Sequence, residues 1–250
     1  MRVTLFILKI LAMLTMTIDH VASSFLGNMT ALRVIGRLAF LLYAFMIAEG
    51  FNHIKDKPDR VRSHLIKLSV LCVISEFVYD FYETGELIDW SSQSVMPVLL
   101  LGFIGLIITE KCKDRPWIYI LFYIASAFAT YFMKTNYKFA GVLLIYAFYF
   151  YLKYEGNRSY PVKLLILLAI MSVYFAVSVW ARTDFGGPLA FLAFFKRIMP
   201  WTIGHVIAVP VIAAYNGKPG PRNKALNMIY SVYYPAHMAL LGTILLFAGK

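Results

Sequence analysis

A chain of 250 residues that is 60% hydrophobic and only 15% charged, with a mean hydropathy of +0.69, carries more apolar surface than a soluble core of its size can bury. Lipid must cover the rest, which excludes the soluble-domain classes. The net charge of +11 does not point to nucleic acid, because the basic residues sit in short loops between apolar runs, where membrane topology places them.

Apolar runs long enough to cross a bilayer as helices fall at 3–26, 32–51, 65–82, 95–110, 117–134, 138–153, 161–181, 187–215 and 226–248. They predict an all-α, polytopic transmembrane helix bundle of about nine spans. The first run resembles a secretory signal, with Arg2, an apolar stretch and Val21-Ala22-Ser23-Ser24. Lys9 interrupts that stretch and Asp19-His20 stand beside the would-be cleavage site, so we read a retained span. The eighth run is too long for one crossing and contains Lys196, Arg197 and Pro200. It predicts a broken helix or re-entrant piece facing protein or water, and a double crossing would raise the span count by one. There is no linker-like, repetitive or low-complexity tract, so 1–250 reads as a single integral-membrane domain. Cys72 and Cys112 have neither metal-ligand spacing nor a disulfide framework and read as inert packing residues.

Lys and Arg set the orientation. With the N-terminus in the cytoplasm, the inside loops carry Lys55, Lys57, Arg60, Arg62 and Lys67, then Lys111, Lys113 and Arg115, then Lys153, Arg158 and Lys163, then Lys218, Arg222 and Lys224. The outside loops hold Arg33, Lys134, Lys138 and Arg182, and one is acidic, with Glu83, Glu86 and Asp89. The expectation is a multi-pass protein of the cell (inner, cytoplasmic) membrane with a cytoplasmic N-terminus.

Ionisable groups inside spans cost a few kcal/mol each, so each is a candidate for function. Lys9 and His20 are close to three helical turns apart, which sets both on one face of the first helix, about 16 Å apart along its axis. Asp19 lies beside His20. The second span returns antiparallel, so Arg37 is expected in the layer of Asp19 and His20, and Glu49 near the level of Lys9. Glu76 and Asp80 fall in the third span, His205 in the eighth and His237 in the ninth. A histidine that titrates near neutrality can take a proton from an amine or hydroxyl, with a carboxylate to orient it. Basic residues at the cytoplasmic end could hold phosphates. Plainer readings stand beside these. Asp19 and Arg37 could be only a neutralising pair, Lys9 a snorkelling side chain, and His20, His205 and His237 packing residues. His53 and His64 read as solvated residues of a charged loop, and the Tyr and Phe content as packing and interface belt.

Three stretches resemble the TraX family: Lys9-Ile-Leu-Ala-Met-Leu-Thr-Met-Thr-Ile-Asp19-His20, Leu32-Arg33-Val-Ile-Gly36-Arg37-Leu-Ala-Phe40 and Tyr43-Ala-Phe-Met-Ile-Ala-Glu49-Gly50-Phe51. Ser75-Glu76, Leu101-Gly102, Tyr215-Asn216-Gly217-Lys218 and Tyr234-Pro235-Ala236-His237 continue the likeness in order to the last span. The family is named for a conjugation protein that acetylates the N-terminus of pilin, and it is similar to the wider transmembrane acyltransferases that include the acyltransferase-3 family. The resemblance implies acetyl-CoA as acyl donor, His20 as catalytic base with Asp19 and Arg37, and a CoA site near Lys9, Arg60, Arg62 and Lys67. Arg33, Glu49, Glu76 and His237 are further candidates, and no metal is implied. The wider superfamily usually has Arg where Lys9 stands, and its paired arginines appear here as Arg60-Val61-Arg62 with Lys67 further on. The implied partners are the lipid bilayer, acetyl-CoA and an acceptor that is a peptide, a sugar or a small molecule, with no nucleic acid. Two other classes remain open: a proton-coupled transporter relaying through Asp19, Arg37, Glu76 and His237, and a non-enzymatic assembly factor for a secreted subunit.

Overall fold

The computed structural model describes residues 3–27, 29–154, 156, 158–182, 189, 192, 202–221 and 224–248. Its regular elements are the helices α1 (Leu5–Ser24), α2 (Thr30–Gly36), α3 (Leu38–Ile54), α4 (Pro58–Thr84), α5 (Met96–Lys111), α6 (Pro116–Phe132), α7 (Lys138–Tyr154), α8 (Tyr160–Arg182), α9 (Thr202–Ala213) and α10 (Lys224–Phe247). Extended pairing among the described residues is confined to two isolated bridges, Val3 with Tyr215 and Gln93 with Thr135. The all-α reading therefore holds.

Helix starts follow local chemistry. Pro58, Pro97 and Pro116 stand in the first turns of α4, α5 and α6, where the missing amide would have no helical partner anyway. Thr4 caps α1 through its side chain. Gly85, at φ 78, ends α4 in the left-handed conformation.

Two boundaries differ from the sequence reading. The start signal at Pro58-Asp59 extends the third apolar run back by about two turns, so Arg60, Arg62 and His64 join Lys67 on α4. His53 likewise lies on α3, so neither it nor His64 is a loop residue. The second run is interrupted at Arg37, which divides α2 from α3. The expected break at Lys196–Pro200 in the eighth run lies outside the described residues, of which α9 forms the last part.

Among the described residues four segments are long and apolar enough to cross a membrane: Leu5–Ser24, Ala31–Ile54, Tyr160–Trp180 and Met228–Phe247. Pro116–Phe132 and Ile203–Ala213 are apolar but shorter. At 27 residues α4 is longer than any of these, but it carries Arg60, Arg62 and Lys67 near its start and Glu76, Asp80 and Glu83 near its end.

The chain forms two units, Met1–Met46 with Phe150–Pro221 and Ile47–Tyr149 with Arg222–Lys250. In the first, α1 packs on α2, and α9 packs on both α8 and α2. The segment after α9 fastens the start of α1. The Val3 amide donates to Ala214 O, the Asn216 amide to Val3 O, the Leu5 amide to Lys218 O and the Phe6 amide to Pro219 O.

In the second unit α4 packs on α5 and α10, and α5 on α6. The Tyr234 hydroxyl hydrogen-bonds Ser94 and the Val95 backbone. Ser94 in turn donates to Glu76 of α4. Eight residues further along α10, a Cβ at Gly242 would lie 2.9 Å from the Phe81 ring and 3.2 Å from Tyr82 Cα. Both helices thus advance together, so α4 and α10 run in the same direction. Small residues let α7 approach α5 closely: a Cβ at Gly102 would stand 2.4 Å from Ile145 Cδ1, and one at Gly105 would stand 2.2 Å from the Tyr146 hydroxyl.

Candidate functional site

The first unit brings together the polar residues of α1, α2 and α9. The α1 helix is unbroken from Leu5 to Ser24, so its own geometry sets Lys9 and His20 about 20° apart around the axis and about 16 Å apart along it. Both side chains are half-buried. Asp19, beside His20, is gripped by two guanidinium groups. Its Oδ1 lies 3.3 Å from Arg33 Nε, which donates to it, and 3.9 Å from an Arg37 terminal nitrogen. All three side chains are largely shielded, at 15% exposure for Asp19, 24% for Arg33 and 19% for Arg37. In so dry a place the pair attracts far more strongly than on a wet surface.

Glycines make this layer possible. A Cβ at Gly36 would lie 2.3 Å from Asp19 Cβ and 2.8 Å from its Oδ1. Only a residue without a side chain lets α2 come close enough for its arginines to reach Asp19. Gly204 of α9 repeats the device on the other side of α2, since a Cβ there would stand 2.1 Å from Val34 O and 3.1 Å from Arg37 Cβ. The next residue, His205, packs its ring against Tyr174 and Phe175 of α8, with centroids 5.5 and 5.8 Å apart.

The expected layer of Arg37 and Asp19 is present, but Arg33 is the nearer partner. The sequence reading put Arg33 in an outside loop, whereas it lies in α2, one helical turn before Arg37. Their four-residue spacing was the available signal, because residues so separated share a helix face.

A phosphate-bearing donor needs a cationic or amide-rich end. The first amides of α1 are already taken, Leu5 and Phe6 by the carbonyls of Lys218 and Pro219, and Ile7 by the Thr4 hydroxyl. Phosphate contact at this end would therefore fall to side chains, and Lys9 is the α1 residue placed to make it. The same loop sets Lys218, with an exposed side chain, beside the first turn of α1. Lys218 belonged to a quoted motif, but its sequence position gave no sign of this neighbour. Lys9 and Lys218 thus put two cations at this end of α1, where the first helix amides are already occupied.

The remaining candidates belong to the second unit. Arg60, Arg62 and Lys67 are exposed on the first turns of α4. Glu49 is only 4% exposed and pairs with His53 Nε2 at 2.8 Å. His64 packs on the Phe103 ring, with centroids 4.8 Å apart. His53 keeps an exposed side chain while it pairs with Glu49, and His64 is half-buried against Phe103. Glu76 accepts from the Ser94 amide at 3.0 Å and from its hydroxyl, which fastens the start of α5 to α4. Asp80 takes the Asp89 amide at 2.9 Å. His237 lies 2.9 Å from Tyr233 O through Nδ1 and stacks on the Tyr233 ring. Glu49 and His237 thus make these contacts within their own helices, whereas Glu76 ties α4 to the segment before α5. Ser94, the hub between Glu76 and Tyr234, had no periodicity or motif to mark it in the sequence. Among the described residues no group of three or more His, Cys, Asp or Glu could hold a metal ion.

Comparison with known proteins bears on this arrangement as a whole. The family profile described as "TraX protein" matches residues 4–245. A protein of Dichelobacter nodosus described as a probable fimbrial assembly protein, FimC of serogroup H1, is 25% identical over 253 residues, covering 94% of this chain and 93% of its own. No solved structure matches. The family match spans almost the entire chain, from the cap of α1 through α10, and takes in Lys9, Asp19, His20, Arg33 and Arg37: this chain belongs to the TraX family.

Proposed function

We propose that this protein is a membrane-embedded acyltransferase that moves an acetyl group from acetyl-CoA to an amine or hydroxyl acceptor. The observation that carries the reading is the single helix α1, which bears Lys9 and His20 on one face and Asp19 clamped by Arg33 and Arg37. Acetyl-CoA, as donor substrate, supplies an acyl group already activated as a thioester. Lys9 meets its phosphates. His20 takes the proton from the attacking amine or hydroxyl as its nitrogen or oxygen bonds to the carbonyl carbon, and passes it to the CoA thiolate that leaves when the thioester C–S bond breaks. The guanidinium groups of Arg33 and Arg37 offer positive charge where negative charge develops on the carbonyl oxygen. Asp19 holds both arginines in place and keeps their charge from standing uncompensated in a poorly hydrated region.

The test is turnover of acetyl-CoA by the purified protein with a small amine acceptor. His20→Ala is expected to lower the rate about 100- to 10,000-fold, the usual worth of a general base. Undiminished transfer by that variant removes His20 from the role.

A second reading is supported by the description of the Dichelobacter nodosus relative as a fimbrial assembly protein. In it the chain escorts a pilus subunit without altering it covalently. That reading predicts a stable complex with the subunit that survives Lys9→Ala and His20→Ala together, and subunits of unchanged mass in cells with and without the protein. A gain of one acetyl group on the subunit decides for the enzyme.

A further inference from the structure

The connection from α4 to α5 places large apolar side chains outward on a backbone that is tied down. Leu87, Ile88 and Trp90 are 67%, 59% and 80% exposed. A loose loop could fold such groups inward, but this one is pinned at Asp89, Ser91 and Gln93. The Asp89 amide donates to Asp80 Oδ2 at 2.9 Å, and Ser91 donates to Asp89 through both its amide and its hydroxyl. The Gln93 side chain donates to Asp89 O at 3.2 Å. Backbone bonds between Gln93 and the turn after α6 anchor the far end, with the Gln93 amide on Lys134 O and the Asn136 amide on Gln93 O. Exposed apolar groups on a braced frame mark a surface shaped for contact.

Charge identifies what that contact is. From Glu83 to Ser92 the chain carries Glu83, Glu86 and Asp89 and no Lys or Arg. Asp80, beneath the loop and 6% exposed, adds a carboxyl oxygen with no hydrogen-bond donor among the described residues. Lys134 approaches Asp89 from the neighbouring turn, which leaves the patch acidic overall. An anionic headgroup layer would be repelled here, whereas a cationic polypeptide would be drawn in and oriented.

We propose that the 83–92 connection is a docking surface for an apolar polypeptide segment that carries Lys or Arg. The segment's apolar side chains cover Leu87, Ile88 and Trp90, and its cations face Glu83, Glu86 and Asp89. This surface stands independently of acyl transfer, and the two fail separately, since loop variants leave acetyl-CoA turnover on a small amine intact.

The test uses the whole protein in phosphatidylcholine nanodiscs with two probes, a lysine-ended Leu/Ala helical peptide and its glutamate-ended counterpart. The lysine-ended peptide is expected to bind about tenfold more tightly, a preference worth about 1.4 kcal/mol. Glu83→Gln with Glu86→Gln removes the preference, salt near ~1 M reduces it, and Leu87→Ser with Trp90→Ser abolishes binding of both peptides. These side chains are exposed, so none of the changes threatens folding. Equal binding of the two peptides overturns the proposal. So does quenching of Trp90 by brominated lipid, read with Trp117, Trp180 and Trp201 changed to Phe, that neither peptide relieves: the bilayer would then be the occupant.

Discussion

Gly36→Ala tests the clamp around Asp19 directly. The new Cβ would stand 2.3 Å from Asp19 Cβ and 2.6 Å from its Cγ. Carbon atoms rest about 3.5–4.0 Å apart, so something must move by more than an ångström. Asp19 Cβ is attached to the α1 backbone and cannot swing away, so α1 and α2 must separate. That motion carries Asp19 Oδ1 beyond hydrogen-bond reach of Arg33 Nε, now 3.3 Å away. Overpacking alone costs about 1–3 kcal/mol, and the weakened charge-assisted bond adds about 1 kcal/mol in a partly shielded site. We expect a loss of about 2–4 kcal/mol, measured by unfolding in mixed micelles of rising dodecyl sulfate content and followed by circular dichroism. Asp19→Gly removes the three atoms nearest to that Cβ, at the cost of the ion pair and about 1 kcal/mol of helix propensity. The double variant should therefore lose less than the sum of the two single losses, by at least about 1 kcal/mol. Strict additivity, or a Gly36→Ala variant as stable as the parent, refutes the close approach of α1 and α2.

Gly204→Ala should be at least as harmful, about 3 kcal/mol, because its Cβ would meet the Val34 carbonyl 2.1 Å away; Gly50→Ala, with nothing within 4 Å, should leave the melting temperature unchanged or slightly raised. Ser94→Ala removes a buried hydroxyl that donates to Glu76 and accepts from the Met96 amide, and should cost about 1–3 kcal/mol by the same unfolding assay. Because α4 and α10 run in the same direction, reporters inserted at Glu86 and after Phe247 should report the same side of the membrane; opposite sides would contradict the packing of Gly242 on Phe81 and Tyr82. The hydroxyl and amide of Ser91, with Lys134 adding to them, hold the Asp89 carboxyl below its ordinary range. Its folded form therefore binds a proton less readily than the unfolded chain does. The loop keeps this stabilisation above about pH 4 and loses it as pH falls through the folded value. Hydrogen exchange across 85–92 should accelerate only in that acid range, and Ser91→Ala should shift the onset upward.

Much of the helix map could be read from local pattern. The apolar runs at 95–110, 138–153, 161–181 and 226–248 match α5, α7, α8 and α10 to within two residues at each end. Long uncharged stretches have few other ways to satisfy their backbone in lipid. Where the pattern misled, charge was the cause. The basic stretch before residue 65 reads as a loop by hydropathy, yet Pro58 and Asp59 start a helix there. Likewise the single run 32–51 hides the interruption at Arg37, because nothing in hydropathy registers a helix pressed against Asp19 through Gly36.

The candidate site divides along the same line. The order of residues within one helix is enough to put Lys9 and His20 on a common face, since the backbone repeat fixes that angle whatever surrounds the helix. Which guanidinium reaches Asp19, that Gly36 and Gly204 hold α2 from two sides, and that the 214–220 segment occupies the first amides of α1 depend on segments distant in the chain. Sequence by itself determined membrane residence, helical class and the polar face of α1, because these follow from local hydropathy and helical periodicity. Only the tertiary structure decided the partners, because contacts between helices depend on interaxial distances that a missing Cβ can set but no local pattern encodes.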